Sequence, residues 1–258
     1  HVAISPNTSF IRVSNLYVND TAGNRIVPIT SGAALRAISF VVDEIDPELL
    51  SFSLDMTTGR LSLSFSETVN VSSIDTTKLI LISSRDGVAE SHSIQSVTRS
   101  SINSDTPVLV LSDADLNAIK TLEILATSPR TTFLAVANEA VFDMVHNPVV
   151  GISTAQALNA TSFDADDTDV VVRSVVLNMN TAELVLEFSE VVDASSIDIT
   201  KFTLQNAAVS NAVTQSYQLT NASSVSTIDN TTIVIQLGVA DLNAIKAKTA
   251  LATVSTAN

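Results

Sequence analysis

Few side chains in this sequence belong to types that carry covalent chemistry. With no Cys there is neither a thiolate nucleophile nor a disulfide framework, and His1, His92 and His146 stand alone, outside any zinc-ligand or nucleophile-elbow spacing. They read as isolated surface histidines. Carboxylates are abundant, yet Glu67 and Glu190 sit at equivalent places in an internal repeat, as architectural residues would and as the two unlike acids of a glycosidase would not. Six scattered glycines build no GxxxxGK or GxGxxG phosphate loop. No catalytic residue is assigned, and a non-enzyme is expected.

Two kinds of binding chemistry remain. Asp164, Asp166, Asp167 and Asp169 place hard oxygens in one short stretch, a candidate Ca2+ site at a domain junction; the competing reading is a solvated linker, because Asp43, Glu44, Asp46 and Glu48 match it only loosely. No other cofactor is expected. Asn7, Asn19, Asn70, Asn159, Asn221 and Asn230 open N-glycosylation triplets, although 18 Asn among 34 Ser and 28 Thr produce most of these by chance.

Composition narrows the partners. Acidic residues number 27 against 13 basic ones, and the net charge of -14 excludes a general nucleic-acid binder and repels an anionic membrane surface. No apolar run approaches the roughly 20 residues of a membrane helix. The first residue is His1, so a processed or excised piece of a longer precursor, or a sequence read without its natural start, is expected. The Ser and Thr content suits solvent-facing strand positions, and an extracellular or cell-surface location is expected. Aromatics are only 4% against 45% hydrophobic residues, so the core must be Val, Ile, Leu and Ala, and a sugar-stacking platform is disfavoured.

The elements that would position any site come from a duplication. A shift of 123 pairs Ser5 with Ser128, Pro6 with Pro129, Phe10 with Phe133 and Asn24 with Asn147, and is densest where residues 51–81 meet 174–204. After a three-residue insertion, Ala114 to Lys120 (ADLNAIK) recurs letter for letter as Ala240 to Lys246. A period this long is a domain and not a solenoid turn. Leu61, Leu63 and Phe65 alternate with serines, and Leu184, Leu186 and Phe188 repeat the pattern, which predicts half-buried strands. Further short apolar runs bounded by Ser, Asn, Asp and Thr predict an all-β sandwich, with one short helix per copy over DLNAIK, capped by its Asp.

The Met56-Thr57-x-Gly59-x-Leu61 hairpin, the Phe-Ser-Glu-x-Val run at Phe65 to Val69 and Ser-Ser-Ile-Asp at Ser72 to Asp75 together resemble the tandem bacterial-type Ig-like repeats of extracellular cell-surface and fibre proteins. The resemblance continues through Leu116 to Ile119 and Phe133 to Val136 into the turn Asp143 to Asn147. Its counterpart, Asp20 to Asn24, keeps the family's Gly as Gly23, where the later copy has His146. The resemblance implies two tandem Ig-like domains with structural or adhesive roles.

The acidic stretches set the phase of the repeat. Taken as linkers, they leave a complete domain over 47–163, a second over 170–258 that lacks its closing strand region, and an N-terminal segment over 1–42 that is the repeat equivalent of 124–165. An open sandwich edge must be filled. The filling is a neighbouring molecule's N-terminal segment, a covalent continuation of a longer tandem chain, or the chain's own segment folded back. The first predicts a homopolymer, a structural filament subunit joined head to tail by donor-strand complementation through Phe10, Ile11, Val13, Leu16 and Val18. The second predicts an adhesive or ligand-binding segment touching a surface glycan or protein.

Overall fold

The computed structural model describes residues 5–87, 89–209 and 215–252, without the side chains of 228 and 229. The fold is all-β: short strands in several sheets, with two helices among the described residues. The chain begins with β1 (Phe10–Ile11) and β2 (Leu35–Arg36). The first copy of the repeat then contributes β3 (Leu49–Asp55), β4 (Arg60–Phe65), β5 (Leu79–Ile82), β6 (Ser91–Ser93), β7 (Val97–Arg99), β8 (Val108–Leu111), α1 (Asp113–Lys120), β9 (Phe133–Val136), β10 (Leu158–Asn159) and β11 (Ser162–Asp164). The second contributes β12 (Val172–Asn178), β13 (Glu183–Phe188), β14 (Thr203–Gln205), β15 (Ser216–Gln218), β16 (Ser224–Asp229), β17 (Thr232–Gln236) and α2 (Val239–Lys246).

Alternation governs burial as expected. In β4, Leu61, Leu63 and Phe65 are buried while the serines between them are half-exposed, and a tight turn begun by Asp55 returns the chain from β3. The first copy forms a five-stranded sheet ordered β11-β3-β4-β8-β7, in which β11 runs parallel to β3, and a four-stranded sheet ordered β10-β9-β5-β6. Phe52, Leu54 and Leu61 from the first sheet and Leu79, Leu81 and Leu134 from the second belong to one buried cluster.

The second copy repeats only part of this. Its four-stranded sheet, β12-β13-β17-β16, matches β3-β4-β8-β7, and its two-stranded sheet, β14-β15, matches β5-β6. Among the described residues it has no counterpart of β9, β10 or β11. Among the described residues its buried cluster holds nine where the first copy's holds 24, and only six of those 24 lie between 134 and 160. Most of the difference is therefore uncovering of side chains that are present.

Two local expectations change. The α1 N-cap is Ser112, whose hydroxyl accepts from the Asp115 amide, and Asp115 lies inside the first turn instead of capping it. His92 is not an isolated surface side chain: it is mostly buried, with its Nε2 2.6 Å from Asp115 Oδ1.

Candidate functional site

One face of β12 exposes apolar side chains whose counterparts in the first copy are buried. In β3, Leu49, Phe52 and Leu54 are buried. Their counterparts do not fare alike: Val172 is 48% exposed, Val175 is 58% exposed and Leu177 is half-buried. What covers β3 is the segment beyond β10. Thr161 donates its amide to the Phe52 carbonyl at 2.9 Å, and β11 pairs Ser162 with Ser53, Phe163 with Leu54 and Asp164 with Asp55. On the second sheet, β9 pairs Leu79 with Val136 and Leu81 with Leu134. Beside β12 and β14 those positions are unfilled by any described residue, so apolar side chains and an unpaired strand edge face outward together.

The N-terminal segment repeats the local pairing of β9 and β10, the strands beside β5 for which β14 has no described counterpart. β1 and β2 pair only with each other, Phe10 with Arg36 and Ile11 with Leu35, which is the register of Phe133 with Asn159 and Leu134 with Leu158. The bridges Val13 to Ile29 and Asn19 to Arg25 reproduce Val136 to Ile152 and Phe142 to Pro148. Ser5 donates its amide to Thr8 Oγ1 at 3.0 Å, as Ser128 does to Thr131. Asp20 Oδ1 accepts from the Ala22 and Asn24 amides, as Asp143 Oδ1 does from Val145 and Asn147. Local hydrogen bonds thus shape this segment without a sheet to lean on.

Of the sequence-assigned interface residues, Phe10, Ile11, Leu16 and Val18 are exposed and Val13 is half-buried. Their counterparts sort them. Leu134, Val136 and Val141, matching Ile11, Val13 and Val18, are buried; Phe133, matching Phe10, is half-buried; Glu139, matching Leu16, is exposed. Tyr17, Ile26 and Phe40, which lie outside the strand alternation near residue 10, match Ala140 and Val149, which are buried, and Phe163, which is half-buried.

Carboxylates gather at two equivalent junctions. Lys120 Nζ, at the end of α1, lies 2.9 Å from Asp166 Oδ2 and 2.5 Å from Glu190 Oε2. Burial pushes the Asp166 carboxyl up, but the hydrogen bond and charge of Lys120 outweigh it and hold the group below its ordinary range. Asp167 accepts from Thr57 Oγ1 at 2.8 Å, Asp164 belongs to β11 and Asp169 is exposed. Asp166 and Asp167 are thus engaged with different partners, and among the described residues the four aspartates do not form a cluster that could hold an ion. A trio with oxygens within 4.8 Å of one another is instead Asp43, Glu67 and Asp143. Burial, then the charges of Asp43, Asp143 and Asp46, raise the Glu67 carboxyl above its usual range.

Two buried carboxylates were hidden in the recurring ADLNAIK. Asp115 accepts from the Gln95 and Ser96 amides, His92 and Ser112 Oγ. Asp241 accepts from Tyr217 OH, Thr220 Oγ1 and amide, and Ser223 Oγ. Each fastens a helix start to the preceding hairpin, and the letter-for-letter repetition was their only signal.

The glycosylation candidates differ in availability. Asn7, Asn19, Asn221 and Asn230 are exposed, Asn70 caps a helical turn through its oxygen, and Asn159 donates its amide to the Pro129 and Thr132 carbonyls. No helix of the described residues is long and apolar enough to cross a membrane, and His1 lies outside them. No protein-family model matches this chain, and no curated protein is similar to it.

Proposed function

We propose that this chain is the structural subunit of an extracellular filament, built of two tandem Ig-like sandwiches, in which the N-terminal segment of one copy closes the second sandwich of the next. One observation carries the reading: residues 5–42 hold the register and bridges of β9 and β10, the strands that lie beside β5 and have no described counterpart beside β14, and they run on into Phe40, the match of Phe163 in β11, the strand with no described counterpart beside β12. Transferring the first copy's pairing lays Ile11 opposite Leu204 and Val13 opposite Phe202, and sets Phe40 beside Leu177.

The two surfaces also differ from the first copy in a matched way. Ala135 packs on Ile80 and Ile82. Its counterpart is Arg12, and theirs are Thr203 and Gln205, so a long cation meets polar neighbours where a small apolar residue meets isoleucines. At about 1.5–3 kcal/mol for each large side chain fully buried, Ile11, Val13, Val18 and Phe40 on one side and Val175 on the other offer enough to support stable assembly. A preformed segment loses less entropy on docking than a disordered one.

The acidic, Ser- and Thr-rich exterior keeps such a polymer soluble and suits glycan attachment at the exposed asparagines. Electron microscopy of the purified chain, with a denaturing gel, tests the reading. Filaments that dissolve into 27 kDa subunits are expected. Filaments that remain one long polypeptide would mean a covalent tandem array, and dispersed monomers would remove the assembly altogether.

A further inference from the structure

One junction of this molecule has a cation among its carboxylates and the equivalent junction has none. Lys120 closes the first: from the last turn of α1 it reaches forward to Asp166 in the linker and to Glu190, two residues past β13. The side chains of Lys120 and Glu190 are 15% and 13% exposed, so the contact excludes much of the solvent that would screen it. It ties the end of one repeat unit to the linker and unit that follow.

The repeat names the counterparts of all three residues. Lys246 ends α2 as Lys120 ends α1, Asp43 matches Asp166, and Glu67, two residues past β4, matches Glu190. Asp43 and Glu67 converge with Asp143, yet among the described residues none of the three has an ion-pair partner. Lys246 is exposed and likewise has none. Three carboxylates this close repel one another, and the repeat counterpart of the lysine that offsets such repulsion at the other junction is Lys246.

We propose that Lys246 of one copy binds Asp43 and Glu67 of the next, an ionic clamp that secures the linker once the N-terminal segment has entered the second sandwich. This rests on the strand-donation reading and adds to it a second contact with its own residues. The chain path makes the two compatible. β11 ends at Asp164 and reaches Asp166 two residues later; Phe40 and Val41, placed where Phe163 and Asp164 lie, reach Asp43 in the same distance along the chain. Asp143 is the third carboxylate of this junction, and its repeat counterpart, Asp20 of an incoming segment, would be the third at Lys120. Both junctions then contain one Lys, two Asp and one Glu.

Charge reversal in the full chain tests the clamp, with light scattering and electron microscopy reading the concentration needed for assembly at low salt. Lys246→Glu and Glu67→Lys each should raise that concentration roughly three- to tenfold. The double variant, which restores an opposite-charge pair between copies, should return it close to wild type even if Glu67→Lys alone perturbs the first unit. Lys246→Glu assembling like wild type would overturn the clamp and leave strand donation standing. A double variant no better than the worse single one would also overturn it, as would rescue of Lys246→Glu by millimolar Ca2+, which would assign the trio to a metal ion. A wild-type chain that stays monomeric would remove the strand-donation reading and the clamp with it.

Discussion

Gly23 and His146 occupy one turn position, 123 residues apart, and hold the same left-handed backbone at φ +88° and +85°. The Asp at the turn's start dictates this conformation by accepting two amides in each copy. His146 tolerates it while stacking on Phe142, with ring centroids 4.5 Å apart. In that conformation a Cβ costs about 1–2 kcal/mol. His146→Gly should therefore be more stable than His146→Ala by about 1 kcal/mol in urea unfolding, the reverse of the Gly and Ala order in a helix interior. Equal midpoints would show that the turn relaxes out of the left-handed region.

Asp115 is buried and multiply hydrogen-bonded. Burial raises its carboxyl, but the Gln95 amide, His92, the Ser96 amide and Ser112 outweigh that and hold it below 3.8. Its stabilising contribution is present above that value and lost as pH falls through the folded one. Asp115→Asn should cost roughly 1.5–3 kcal/mol near neutral pH, with the gap to wild type narrowing in acid. A gap independent of pH would mean that shape and not charge does the fastening.

Ile11→Asp should abolish assembly while leaving the first unit's unfolding unchanged, because Ile11 is exposed within its own chain. A chain lacking residues 1–42 should likewise fail to polymerise, and a peptide of those residues should stabilise its second unit. Filaments persisting after the deletion would sink strand donation.

Glu67 works in the opposite sense to Asp115. Burial and then its acidic neighbours raise its carboxyl above 4.5, so its favourable contribution is full below that value and lost as pH rises through the folded one. In a chain kept monomeric by Ile11→Asp, Glu67→Gln should stabilise by roughly 0.5–1 kcal/mol at neutral pH and by less near pH 4. Scanning calorimetry across pH would check both signs.

The period-two alternation at Leu61, Leu63 and Phe65 and its recurrence at Leu184, Leu186 and Phe188 specified strands because each side chain must face either solvent or core. The repeat likewise aligned β12 with β3 and β13 with β4 from residue spacing alone. His92 was not legible, because its Asp115 partner lies 23 residues away and no local pattern joins them. That Glu139, the counterpart of Leu16, faces solvent was not legible for a related reason: exposure depends on neighbours that the local pattern does not name.

By itself the sequence determined the duplication, the strand-forming pattern, the acidic exterior and the absence of thiol chemistry, all of which depend on residue type and spacing along one chain. Only the tertiary structure decided which valines of β12 stand uncovered, that residues 5–42 already hold the register of β9 and β10, and that Lys120 closes one acidic junction while Asp43, Glu67 and Asp143 converge without a cation. Those properties arise from atoms brought together from positions about 25 to 100 residues apart, where packing and charge, not local preference, set the outcome.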